Sequence, residues 1–141
     1  MANMVIPDEG KTLMLDLAIH DDGSLQEDMT LELYQNDYTP VNGSTAANFT
    51  ASTFTGYAPV TVTRATMGTP AIVANVAYRE RSAVPVFTCS AGGPQNAYGW
   101  FLRGAVSNTV YAAQRFDAVR VMSAGVSESI DPFRLGLQTL H

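Results

Sequence analysis

Short alternating runs, each broken after a few residues, leave this chain little room to fold as anything but a β-protein. Thr, Val, Ala, Tyr and Phe alternate over residues 29–34, 60–63, 97–106 and 109–116, and Gly, Pro, Asn and Ser interrupt them. In Met29-Thr-Leu-Glu-Leu-Tyr34, Leu31 and Leu33 fall on one face of a strand, and Thr30, Glu32 and Tyr34 on the other, because successive strand side chains point to opposite sides. Roughly eight to ten such strands, with turn signals every ~8–12 residues, form the pattern of an all-β sandwich or barrel. The long helices that alternate with strands in a parallel α/β fold have no counterpart here. At 141 residues, a single domain over 1–141 is expected. It is large enough to fold around its own core without disulfides or metal.

The punctuation sets the expected boundaries. Residues 1–11 read as an extended N-terminal arm, since Pro7 blocks regular pairing and Asp8-Glu9-Gly10 reads as a turn. Residues 12–19 suit a strand or a short helix, and His20-Asp21-Asp22-Gly23-Ser24 closes them as a turn. Ser44 or Thr45 can cap a short helical turn in a connector that ends at Gly56-Tyr57. Residues 71–78 read as one strand followed by a charged turn, Arg79-Glu80-Arg81. Residues 109–116 and 119–122 read as separate strands, and alternation returns over 126–130 and 133–140. No repeat or linker divides the chain.

Charge and chemistry exclude several classes of function. Charged residues make up 15% of the chain, below the ~25% typical of soluble domains. The surface is therefore mostly neutral, which suits either a Thr-rich β-skin or a surface covered by partners. Net charge is −5, Lys11 is the only lysine, and the seven arginines are scattered. Nucleic acid and anionic membranes both require clustered cations, so neither is an expected partner. The N-terminus lacks the basic region and apolar core of a secretory signal, and no run is long enough for a spanning helix. Cys89 is the sole cysteine, and a strand-like setting makes it a small buried hydrophobe. Any triad would have to use His20 or His141, and neither sits in a recognisable motif. Asp8/Glu9, Asp21/Asp22, Glu27/Asp28 and Glu128/Asp131 are close acidic pairs near turns, where solvated carboxylates are the ordinary outcome. Gly92-Gly93-Pro94 is too short to cradle a phosphate. No enzyme activity, metal or cofactor is expected. Trp100 is assigned to the core, while Tyr34, Tyr38, Tyr57, Tyr78, Tyr98 and Tyr111 divide between core and a binding face.

One ordered set of motifs goes further. Leu33-Tyr-Gln-Asn-Asp-Tyr-Thr-Pro40 is followed by Ser44-Thr-Ala-Ala-Asn-Phe49, Phe54-Thr-Gly-Tyr57, Gly68-Thr-Pro70, Phe87-Thr-Cys-Ser90, Tyr98-Gly-Trp-Phe101 and Ala113-Gln-Arg-Phe116. In this order, over roughly residues 29–140, the chain resembles a family of small structural proteins of tailed bacteriophages that includes capsid decoration and cement proteins. Met67 departs from the pattern, which has an aromatic before Gly-Thr-Pro. The resemblance implies a non-enzymatic β-sandwich or jelly-roll-like domain. It implies a homotrimer that sits on the outer surface of the virion capsid after synthesis in the host cytoplasm. There it would bridge subunits of the major capsid protein and stabilise the mature head. In that role the arm, with Met1, Val5, Ile6 and Pro7, is the candidate capsid contact, free in the isolated protein and ordered along the partner. The alternative is another virion part, such as a head-fibre base, a tail adaptor or a receptor- or glycan-binding module. A glycan-binding module would carry an exposed aromatic cluster with Asn or Asp beside it.

Overall fold

The computed structural model describes residues 3–19, 27–69, 71–73 and 76–138. Within them lie one α-helix, α1 (Asp8–Ile19), and nine strands. These are β1 (Met29–Tyr34), β2 (Val60–Val62), β3 (Ala71–Val73), β4 (Val76–Arg81), β5 (Val86–Thr88), β6 (Gln95–Gly104), β7 (Val110–Met122), β8 (Ser127–Ser129) and β9 (Phe133–Gln138). Short 3₁₀ turns span Ala46–Asn48 and Arg64–Thr66. The strands form antiparallel sheets in the orders β2-β1-β6-β7, β3-β4-β9 and β5-β8. The protein is therefore mostly β, as the alternation predicts.

The β1–β6 pair is the centre, and both of its faces are buried. Leu31 lies opposite Leu102 and Leu33 opposite Trp100. Directly opposed residues share a face, and this face joins Val62, Phe87, Ala112 and Met122 in the main core. Trp100 stacks on Phe133 of β9, ring centres 5.1 Å apart, which ties the four-stranded sheet to β3-β4-β9. The opposite face holds Tyr34 and Phe101, and the connector after β1 folds over it. Phe49 from that connector stacks on Phe101 at 4.8 Å and meets Tyr34 edge-on at 5.2 Å. The connector also completes the outer edge of β1 beyond β2: Ser52 N–H donates to the Leu33 carbonyl, and Gln35 N–H to that of Thr50, each at 2.8 Å.

The second face carries a buried charge as well. Glu32 is 3% exposed, and its Oε1 accepts hydrogen bonds from Arg103 Nε at 2.9 Å and Nη2 at 2.6 Å. Arg103 Nη1 then donates to Asn108 Oδ1 at 2.8 Å. Asn108 is left-handed, with φ of 61°, in the turn that joins β6 to β7, a conformation Asn tolerates better than most residues. One arginine thus neutralises the buried carboxylate and fixes the hairpin.

Several expected boundaries are corrected. The extended arm ends at Pro7, because Asp8, Glu9, Gly10 and Lys11 already belong to α1. The two acids open the helix, where the macrodipole favours them, and Lys11 pairs with Asp8 at 2.9 Å. Residues 71–73 and 76–81 form two antiparallel strands, β3 and β4, rather than one, with Val73 opposite Val76. The expected turn at Arg79-Glu80-Arg81 is the end of β4, paired with β9. Residues 109–116 and 119–122 join into one long strand, β7. The expected turn at His20 to Ser24, and His141, lie outside the described residues.

Two substitutions test this packing. Trp100→Ala is expected to cost about 3–5 kcal/mol, as for other buried aromatic truncations, measured by urea denaturation. At Gly99, opposite Tyr34, an added Cβ would come within 2.5 Å of Tyr34 Oη and 2.2 Å of the Gln114 carbonyl. Gly99→Ala is therefore expected to lower stability by about 1–3 kcal/mol, and a neutral effect in the same assay would contradict the close approach.

Candidate docking surface

The N-terminal segment does not stand free of the domain. Val5 forms an antiparallel bridge with Ala113 of β7: its N–H donates to the Ala113 carbonyl at 2.7 Å, and its carbonyl accepts the Ala113 N–H at 2.8 Å. Pro7 is fully buried and Ile6 is half-buried. The expectation of a free arm is thus overturned for residues 3–7, while Met1 lies outside the described residues. The physical reason is the outer edge of β7, whose unpaired N–H and C=O groups need partners. Val5 takes part of that edge, and α1 takes the next part. Glu9 Oε1 accepts the Val110 N–H at 2.7 Å. Gly10 lets the helix approach so closely that a Cβ there would lie 2.5 Å from the Val110 carbonyl.

A second carboxylate organises the β6–β7 turn. Glu27 Oε2 accepts the N–H groups of Val106 at 2.5 Å and Ser107 at 2.8 Å. Its Oε1 accepts Ser107 Oγ and, at 3.4 Å, the Tyr111 hydroxyl. Burial pushes the Glu27 carboxyl upward, but these donors outweigh it and hold the group below its ordinary 4.5. Tyr111 moves the other way: burial and the neighbouring Glu27 charge push its hydroxyl up to about 12. The sequence reading of Glu9 and Glu27 as solvated turn acids is therefore wrong. Start-of-helix chemistry was available as a signal for Glu9. Nothing local in the sequence marks Glu27, whose partners lie about 80 residues away.

Beyond the arm, β7 is open. Arg115 lies opposite Gly99 and Arg120 opposite Ala97, so the register shifts and residues 116–119 form a bulge in β7. Such a bulge bends the strand and re-aims its side chains. Arg120 lies over the Phe116 ring, 5.6 Å from its centre, and pairs with Glu128 of β8 at 3.2 Å. This places the exposed half of β7 beside β8 and β5. Several valines on these elements are exposed: Val119 and Val121 (52% exposed) on β7, Val126 before β8 and Val86 (55%) on β5. An open groove of about 550 Å³ lies on another side, lined by Asn3, Met4, Gln114, Phe133 and the Glu80–Arg134 ion pair.

The groups considered for chemistry are dispersed. Cys89 is buried, and its Sγ donates to the Ala91 carbonyl at 3.3 Å. His20 and His141 lie outside the described residues. Among the described residues, no three His, Cys, Asp or Glu side chains gather as a metal site, and no helix is long and apolar enough to cross a membrane. Trp100, Tyr34 and Tyr111 are core residues, and burial holds the Tyr34 and Tyr57 hydroxyls well above the ordinary range. Tyr98 is half-buried beneath Arg115, whose guanidinium lies 5.2 Å from the ring centre and pairs with Asp37 at 2.6 Å. What the arrangement offers is exposed apolar side chains on β7, β5 and the approach to β8. No protein-family model, no curated protein and no solved structure matches the chain.

Glu27 yields a pH prediction. A carboxyl held below its ordinary value stabilises the fold above pH 4.5, and that stabilisation is lost as pH falls through the folded-state value. Glu27→Ala is expected to cost about 1–2 kcal/mol at pH 7, for hydrogen bonds to a partly exposed charge. The gap between wild type and variant should narrow as pH falls below 4.5, in urea titrations at both pH values.

Proposed function

We propose that this protein is a non-enzymatic structural component of a bacteriophage virion. In this reading it is a cement protein that binds the outer surface of the major capsid protein lattice and stabilises the mature head. The observation that carries the reading is the number of exposed valines on β5, β7 and the approach to β8, in a chain with few charges to oppose burial. The ordered resemblance to phage decoration proteins supports it. Here the sheets β2-β1-β6-β7 and β3-β4-β9, joined through Trp100 on Phe133, are the two leaves of a jelly-roll-like sandwich. The working unit is a homotrimer, with the exposed valines shared between copies and capsid.

A cement of this kind acts by mass action. It binds the assembled lattice and not the loose subunit, so it stabilises the shell by the free energy of that difference. Repetition over many lattice sites turns a modest contact into firm retention. Val5, Ile6 and Pro7 contribute by holding β7 in place.

The test is co-sedimentation of the purified protein with expanded heads of its parent virus, against unassembled capsid protein. Saturable binding to heads alone is expected, and Val121→Glu should weaken it at least tenfold while leaving the melting temperature within a few degrees, as for ordinary surface changes. Deleting residues 1–7 should instead lower the melting temperature, because it removes the Val5 bridge and buried Pro7. Absence of binding to heads would reject the cement role and favour a tail adaptor, head-fibre base or receptor-binding module.

A further inference from the structure

Two arginines break the pattern of charge pairing. Arg103, Arg115, Arg120 and Arg134 are held by Glu32, Asp37, Glu128 and Glu80. Arg79 and Arg81 have no ion-pair partner among the described residues. Arg81 is only 6% exposed, and its Nε and Nη1 are buried without a hydrogen-bond partner. A guanidinium cannot shed its proton in a protein, and a buried charge without a partner is strongly destabilising. Native structures rarely leave such a group unmatched, so an unmatched one calls for an explanation.

The register shows what surrounds these two charges. Arg79 and Arg81 are two positions apart on β4 and so share a face. Their opposite numbers on β9 are Leu135 and Phe133, both apolar. Glu80, the only acid between them, falls on the other face and is taken by Arg134. The shared face grades from buried to open: Phe133 and Arg81 are buried, Leu135 is half-buried, and Arg79 is exposed. Ile72, opposite Ala77 in the register, continues the same face and is 76% exposed. In a chain of net charge −5, two uncompensated guanidiniums over an apolar floor are matched to an incoming acid.

We propose that this face of β4 binds an acidic, extended segment of another protein, whose carboxylates pair with Arg81 and Arg79 while an apolar residue covers Leu135 and Ile72. Planar guanidiniums accept carboxylates bidentately. An extended segment carries side chains of one face at every second residue, the same spacing as the two arginines. A small free anion would answer the charge and leave Ile72 and the open side of Leu135 uncovered. The proposal does not rest on the capsid reading, since it concerns a different sheet and holds for any acidic partner.

Calorimetric titration of the intact protein with a blocked Ile-Thr-Glu-Thr-Glu peptide tests it, its Ile and two Glu falling on one face of an extended segment, with Ile-Thr-Gln-Thr-Gln as the uncharged control and sodium acetate and sodium sulfate as competing anions. Saturable one-to-one binding of the Glu peptide is expected, at least tenfold tighter than the Gln peptide and weakened by salt. Arg81→Met and Arg79→Met should each weaken it at least tenfold. Arg81→Met should also raise the melting temperature of the free protein, because it removes the uncompensated charge. Arg79 is exposed, so Arg79→Met keeps the test decisive should Arg81→Met fail to fold. No binding, equal binding of the two peptides, or binding untouched by Arg79→Met would overturn the assignment. Acetate or sulfate binding as tightly as the peptide, with the same sensitivity to the variants, would overturn it in favour of a free-anion site.

Discussion

Burial of both faces of β1 and β6 is the constraint on which the remaining structure depends. A strand covered on one side alone can alternate apolar and polar residues. These two cannot, so each position on the second face had to be reconciled with the interior. Tyr34 and Phe101 are covered by Phe49, Glu32 is neutralised by Arg103, and Gly99 makes room for the Tyr34 ring. The connector between β1 and β2 is therefore a structural layer. Its 3₁₀ turn, its Phe49 and its hydrogen bonds to the β1 edge all follow from the need to close that face.

The all-β class was legible because it rests on local alternation. The strand around Leu31 and Leu33, the 3₁₀ turn near Ala46 and the core role of Trp100 all came from short-range pattern. What escaped was set by partners distant in sequence. Residues 71–81 read as one strand and a turn, yet 71–73 and 76–81 form two strands, the second running through Arg79-Glu80-Arg81, because β9 offers Leu135 and Phe133 as partners. Tertiary pairing overrides a local turn signal in this way. Pro7 correctly marked a break in regular structure, but its burial against the domain followed from the open edge of β7, which no local residue announces. The candidate contact surface was the least legible part. Val86, Val119, Val121 and Val126 resemble core valines in sequence, and their exposure is decided by which sheet ends where.

The two halves of β7 are treated differently. Its first half is closed by α1 through Glu9 and by Val5, while its second half carries the bulge. The first half of the strand is thus protected from indiscriminate pairing, while the second half leaves Val119 and Val121 exposed. The two unpaired arginines of β4 offer a different kind of surface, specified by charge.

The β1–β6 pairing has a consequence for how the chain comes together. Met29 lies opposite Gly104, so the middle of the sheet joins residues about 75 positions apart. Closing so long a loop carries an entropic cost before any contact is gained, and topologies dominated by such pairings fold slowly. On the ribosome, Leu31, Leu33 and Tyr34 emerge well before the strand that covers them. During that interval the N-terminal part of the chain holds its most apolar strand uncovered, so correct assembly depends on β6 arriving before another exposed strand does.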